Sequence, residues 1–172
     1  EKVLGKNRTK EKQYAFDYAF DAQTPQLDVF KSTTQFLCEG VLNGYNSTVF
    51  AYGSTGAGKT YTMLGEEKNP GIMFNTMKEV FKHMKQHQIE REYTIRVSFL
   101  EIYNENIKDL IMVSSDVLDL REVPIKGVQV AGLSEIEVHT PDEIFELLIY
   151  GNRNRTQEAT GANETSSRSH AV

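Results

Sequence analysis

Gly53-Ser54-Thr55-Gly56-Ala57-Gly58-Lys59-Thr60 is the stretch that decides how this chain folds. It follows the pattern Gly, four residues, Gly, Lys, then Ser or Thr, the signature of a loop that cradles phosphate groups. Glycines permit backbone torsions that turn successive N–H groups inward as an anion nest. A helix opening behind them points its positive end at the same place. Lys59 adds a full charge suited to β- and γ-phosphates, and Thr60 a hydroxyl suited to Mg²⁺, which takes oxygen ligands. At ordinary glycine and lysine usage, a chance match in a chain this long is rarer than about one in a hundred. The motif requires a strand before it and a helix after it. Thr48 to Tyr52 (TVFAY) is a short apolar run that predicts a buried strand, and a helix is expected to open near Lys59. Binding of a nucleoside triphosphate is the expectation.

The flanking sequence supplies further elements. Tyr14 to Phe20 (YAFDYAF) predicts a short aromatic strand. Thr24 as N-cap and Pro25 at the first helical position predict a helix whose apolar residues Leu27, Phe30, Leu37 and Val41 recur at helical spacing, with Gly44 ending it. Cys38 reads as packing. Glu66 to Gly71 interrupts the helix that begins near Lys59. Ile72 to Gln86 resumes a helical pattern whose stripe of Met73, Met77, Val80, Phe81 and Met84 reads as core. Thr94 to Tyr103 predicts a central strand. Val117 to Val138 predicts short strands with turns at Lys126-Gly127 and Ala131-Gly132. Thr140-Pro141-Asp142-Glu143 is a capping box, opening a helix with Ile144, Phe145, Leu147 and Leu148 that is expected to end near Gly151.

Composition limits the function classes. The chain has 172 residues, 39% of them hydrophobic and 25% charged, a size suited to one domain. A single cysteine excludes an internal disulfide and fits a reducing compartment such as the cytosol. The net charge of −5 argues against a nucleic-acid binder. A basic run at Lys2, Lys6, Arg8, Lys10 and Lys12 reads as a solvated arm. No apolar run approaches the roughly 20 residues that a spanning helix needs, so no membrane partner is expected.

A second motif narrows the reading. The tail Asn163-Glu164-Thr165-Ser166-Ser167-Arg168-Ser169-His170 places adjacent hydroxyls on one segment. Alone it reads as a polar loop. Beside a phosphate loop, it suits a segment that senses a γ-phosphate and its magnesium and that responds to hydrolysis. A guanine-specific Asn-Lys-x-Asp element is absent, and Arg153 with Arg155 is sparse for the Arg-rich lid of a small-molecule kinase.

Ala51 to Thr60, Leu100-Glu101-Ile102-Tyr103-Asn104-Glu105, and Asn163 to His170, in that order, resemble the kinesin motor domain over nearly the whole chain. Tyr14 to Phe30 looks like that family's segment before the phosphate loop. Gly151 to Gln157 and Ser167 to Val172 look most like class-eight kinesins, which walk toward microtubule plus ends and can shorten them. The resemblance implies an α/β fold: a P-loop NTPase with a mixed central β-sheet flanked by helices, of the kinesin motor type, incomplete at both ends. Residues 1–172 would then be part of a single motor domain, from before the P-loop through switch I. The family's first strand is expected before residue 1, and switch II after Val172.

The implied chemistry is ATP hydrolysis with Mg²⁺, coupled to microtubule binding. Gly53, Ser54, Thr55, Gly56, Ala57, Gly58, Lys59 and Thr60 would bind the phosphates, and Tyr61 would lie beside the adenine or simply pack its helix. Lys59, Asn163, Ser166, Ser167 and Arg168 would carry catalysis. Ser166 would position the attacking water, and Thr60 and Ser167 would face the metal. Arg168 would pair with an acidic residue of switch II. Arg121 and Lys126 are candidate tubulin contacts, equally readable as solvated charges. The resemblance also implies a cytoplasmic, cytoskeletal location on microtubules, the spindle included, and a homodimer through a coiled coil outside this chain. Two other readings stay open: a non-hydrolysing, nucleotide-bound tubulin-binding module, and a P-loop kinase. Without switch II, the segment alone is expected to hydrolyse ATP poorly or not at all.

Other signals carry less. His83 and His87 stand four apart on a predicted helix, but Lys82 and Lys85 would repel a cation. His139 precedes a helix cap. Glu101 and Glu105 fall on strand and turn, which does not support a glycosidase-type carboxylate pair.

Overall fold

The computed structural model describes residues 12–87, 89, 91–114, 116–125, 127–155 and 169–172. The expected helix after Pro25 is two helices, α1 (Gln26–Thr33) and α2 (Gln35–Leu42). The break falls at Thr34, with φ −125°. Beside it the Thr33 hydroxyl donates to the Val29 carbonyl at 2.6 Å, an i−4 bond of the kind Thr76 makes to Ile72 within the unbroken helix Ile72–His87. Pro25, not Thr24, occupies the N-cap, because the Thr24 hydroxyl is drawn to the Asp21 carboxylate at 2.9 Å. The buried face is Gln26, Phe30, Thr34 and Cys38, whereas Leu27 and Val41 are exposed. Gly44 does follow the helix end, at φ +95°.

The helix after the phosphate loop is α3 (Lys59–Met63). A small hairpin follows, β1 (Gly65–Glu66) with β2 (Asn69–Pro70), and then α4 (Ile72–His87), as the sequence pattern predicts. The expected central strand is divided into β3 (Ile95–Val97) and β4 (Leu100–Tyr103). Asn104 and Glu105, at φ 50° and 64°, turn β4 into β5 (Asn106–Asp109) with the double left-handed geometry of a tight hairpin. Next come β6 (Asp119–Val123), β7 (Gly127–Ala131) and β8 (Ile136–Val138). Then follow α5 (Pro141–Arg153) and β9 (His170–Ala171). Among the described residues all ladders are antiparallel: β1 with β2, β3 with β8, β5–β4–β9, and β6 with β7.

One core joins these pieces. Phe81 of α4, Phe99, Leu110, Ile111, Val138 of β8, and Ile144 and Leu148 of α5 cluster with the partly buried Met73 and Met77. Each such side chain, fully buried, is worth about 1.5–3 kcal/mol. Helix α4 packs against α1, α2 and α5, and the Phe74 and Phe145 rings meet at 4.8 Å. The Thr140 cap forms, the Glu143 amide donating to the Thr140 hydroxyl, while Glu143 Oε2 reaches one residue beyond the N-cap to accept from the His139 amide at 2.8 Å. Helix α5 ends at Arg153, near Gly151 as expected, although Gly151 itself is buried against Phe99 and serves close packing rather than termination.

Two expected strands do not form. Tyr14 to Phe20 and Thr48 to Tyr52 lie outside every ladder. Apolar alternation specifies a strand only where a neighbour supplies hydrogen bonds, and none runs beside them among the described residues. Their rings are exposed, with Tyr14 on Phe16 and Tyr18 on Phe20 stacked in pairs about 6 Å apart.

Candidate functional site

The phosphate-type loop runs from Gly53 into α3. The Ala57 amide donates to the Ser54 carbonyl at 3.1 Å, tightening the loop into a turn. Gly56 and Gly58 stand at φ +80° and +86°, a region L-residues rarely adopt, and Gly58 is the N-cap of α3. Nothing lies within 4 Å of where a Cβ would sit on either. The loop therefore has a free outer face, and Ser54, Thr55, Gly56, Ala57, Gly58 and Thr60 are all exposed.

Lys59 folds back over this loop. Its ammonium donates to the Gly53 and Ser54 carbonyls, both at 2.9 Å. These are neutral acceptors, and an anionic oxygen is roughly twice as strong a partner, so the side chain can exchange them for phosphate. The residues present thus fit a polyphosphate. Tyr61 is half-exposed; its carbonyl accepts from Gln26 Nε2 at 2.6 Å and its hydroxyl from Asn69 Nδ2 at 2.9 Å. Those bonds moor α3 to α1 and to the β1–β2 hairpin.

Of the other expected site residues, Asn163, Ser166, Ser167, Arg168 and Lys126 lie outside the described residues. Arg121 is on β6, exposed, with Nη2 3.7 Å from Asp119 Oδ2. Both members of that pair face water, where such a contact adds little stability. The hairpin tip beyond it presents Ile125, fully exposed and at φ 73°.

Sequence reasoning missed two charged groups. Glu101, in the middle of the apolar run Phe99 to Tyr103, is 0% exposed. Arg155, weighed only as part of a lid with Arg153, instead turns inward. Its Nη2 donates to the Ser169 carbonyl at 3.1 Å and hydroxyl at 2.9 Å, and its Nη1 approaches Asn152 Oδ1 at 3.4 Å. Burial pulls the Arg155 guanidinium pKa down, and the charge of Glu101 pushes it back up. The legible signal was a carboxylate inside an apolar strand, which demands a cation.

Asp109 is a structural hub. Its Oδ1 accepts from the Ile111 and Met112 amides at 2.8 and 2.9 Å, and its Oδ2 from the Ser134 amide at 2.8 Å. Burial pushes its pKa up, but hydrogen bonds from Ser134, Met112 and Ile111 outweigh this and hold it below the ordinary value. Burial pushes the Cys38 thiol up, with Glu79 adding to it, so a protonated sulfur fills the α2–α4 contact. His83 Nε2 lies 3.3 Å from Glu79 Oε1, and His87 Nδ1 lies 2.9 Å from the His83 carbonyl. A cavity of about 580 Å³ opens between the end of α4 and β3–β8, lined by Phe81, Met84, Tyr93, Ile95 and His139 among others. No residue of the phosphate-type loop lines it.

Comparison with known proteins places this geometry in a family. The kinesin motor domain family model matches residues 1–172. Kinesin-like protein KIF19 of Xenopus laevis is 51% identical over 170 residues, covering 99% of this chain and 17% of that protein. Kinesin-like protein KIF18B of Gallus gallus is 49% identical over 167 residues, covering 97% of this chain and 21% of that protein. Kinesin-like protein KIN-8B of Arabidopsis thaliana is 49% identical over 166 residues. These relatives are class-eight kinesins, and the chain spans about a fifth of their length.

Among solved structures, a fast kinesin superposes with a TM-score of 0.83 at 40% identity, covering 92% of this chain and 46% of that one. A KIF14 dimer, solved with AMP-PNP in complex with a microtubule, superposes with a TM-score of 0.80 at 37% identity, covering 86% of this chain and 42% of that one. With the family match running over residues 1–172 and these motor domains superposing on its fold, the chain belongs to the kinesin motor-domain family.

Proposed function

We propose that the protein containing this chain is an ATP-dependent microtubule motor, with this segment supplying most of its phosphate site. The carrying observation is the open loop, left-handed at Gly56 and Gly58, with the Lys59 ammonium resting on carbonyls it can give up. Residues 53–60 hold the triphosphate, and Tyr61 lies at the edge of the base. Thr60 and Ser167 would hold Mg²⁺, which neutralises developing charge on the phosphate oxygens when bound.

Hydrolysis needs little covalent work from side chains; positioning and charge stabilisation carry it. Water attacks the γ-phosphorus, the bond to the bridging oxygen breaks, and ADP and inorganic phosphate leave as the water's proton is released to solvent. Ser166 orients that water, Asn163 and Ser167 contact the γ-phosphate side, and Arg168 pairs with an acid of switch II. Lys59 stabilises charge on the β- and γ-oxygens. Arg121, exposed on β6, and Lys126 would face the acidic tubulin surface. Plus-end shortening, a homodimer, and a place on cytoplasmic and spindle microtubules extend the same reading.

The test is steady-state ATPase of the full-length protein with and without microtubules, beside Lys59→Ala. Strong microtubule stimulation, abolished in Lys59→Ala together with ATP affinity, is expected. Tight nucleotide binding without turnover would instead make it a tubulin-binding module, and phosphoryl transfer to a small molecule a kinase. This segment alone is expected to show no microtubule-stimulated turnover.

A further inference from the structure

We propose that Glu101 and Arg155 are positioning residues for hydrolysis, forming with Ser169 a buried ionic staple that fixes both ends of the stretch 156–168. This rests on the reading that Asn163, Ser166, Ser167 and Arg168 act on the γ-phosphate.

The staple is built wholly from described residues. Arg155 follows the end of α5, which is itself tied down when Asn154 Nδ2 donates to the Leu110 carbonyl at 2.8 Å. Fourteen residues later, Ser169 receives two hydrogen bonds from the same Arg155 nitrogen, at 2.9 and 3.1 Å. From Ser169 the chain passes directly into β9, where His170 pairs with Ile102 and Ala171 with Glu101. The Val172 amide and carbonyl complete the ladder with Leu100 at 3.0 and 2.8 Å.

Glu101 lies beneath this junction, fully buried at 0% exposure, and its charge acts on Arg155. A carboxylate so placed is tolerable only beside a cation. A guanidinium suits the place better than an ammonium, because its flat fork can address Ser169 and Asn152 at once while facing Glu101.

The consequence concerns geometry rather than affinity. The phosphate-type loop is built on α3 and owes nothing to Arg155. The catalytic side chains of the second motif hang between the two stapled ends. Loosening either end displaces reacting groups, and a misplacement near 1 Å costs about a hundredfold in rate.

The experiment uses the full-length protein with microtubules, and compares Arg155→Met, Arg155→Lys, Glu101→Gln and the Arg155→Met/Glu101→Gln pair. The expected result is a fall in kcat of about tenfold or more for Arg155→Met, with KM for ATP within about twofold, and partial rescue in Arg155→Lys. The double variant should be no slower than Arg155→Met, since one unit has been removed twice. Should Arg155→Met melt below the assay temperature, Glu101→Gln carries the same comparison at nearly unchanged volume. A folded variant with kcat within twofold of the parent overturns the proposal, as does a loss of ATP affinity that matches the loss of kcat. Lys59→Ala run alongside separates the two claims: retained ATP affinity there would sink the nucleotide reading itself, whatever Arg155 does.

Discussion

Gly151 of α5 lies flat against the ring of Phe99, so close that a methyl group on Gly151 would overlap Phe99 Cδ1 and Cε1 and press on Leu110 Cβ at 3.3 Å. Two effects of Gly151→Ala oppose each other. Helix propensity favours alanine by roughly 0.5–1 kcal/mol. Overpacking a filled core costs about 1–3 kcal/mol. Phe99 is only 4% exposed and has little room to retreat, so packing wins. Urea denaturation of the motor domain should show Gly151→Ala less stable by about 1–2 kcal/mol; equal or greater stability would mean that the helix stands off the strand.

Asp109 gives the fold an acid limit. Its folded pKa is depressed, so its stabilisation is complete above the unfolded value of about 3.9 and is lost as pH falls through the folded value. Stability should therefore drop steeply below about pH 4. Asp109→Asn should flatten that drop and lower stability at pH 7 by about 1–3 kcal/mol, because an amide NH₂ cannot accept from both sides. Chemical melts of both proteins from pH 3 to 7 check this, and parallel curves would refute it.

The hairpin turn at Asn104 and Glu105 offers a gain. Asn tolerates a left-handed conformation, but Glu does so at a cost of about 1–2 kcal/mol. Part of the relief from Glu105→Gly is lost to greater freedom of the unfolded chain. The expected net is a stabilisation of about 0.5–1 kcal/mol, seen as a raised Tm with unchanged ATPase. A lowered Tm would contradict the turn geometry.

The β6–β7 hairpin should separate motor contact from ATP chemistry. Removing the charge in Arg121→Ala should weaken microtubule binding and make it less sensitive to salt. Ile125→Gly removes an exposed apolar tip at φ 73° and should weaken binding while slightly stabilising the domain. Cosedimentation across a salt series, beside basal ATPase without microtubules, reads both. Basal turnover should not change; a basal loss would place the hairpin in the nucleotide site instead.

What the sequence revealed in advance follows from how local each signal is. The phosphate loop, the apolar stripe of α4, the Thr140 N-cap and the β6–β7 hairpin are specified by residues within a few positions of one another, and all form. Thr48 to Tyr52 and Tyr14 to Phe20 depend on neighbours elsewhere in the chain, and apolar alternation says nothing about whether those neighbours arrive. The break at Thr34 leaves no mark in the apolar spacing, which runs on through it. Gly151 looked like punctuation because its cause, the ring of Phe99, lies fifty-two positions away in sequence. Glu101 and Arg155 are likewise distant in sequence, and only the sheet brings them to one place.

The stacked rings of Tyr14, Phe16, Tyr18 and Phe20, bare to solvent as Phe50 and Tyr52 also are, make this polypeptide surface-active when handled by itself. It should adsorb to vessel walls and light up dyes that fluoresce in greasy surroundings. Mild detergent should keep it dispersed where plain buffer does not.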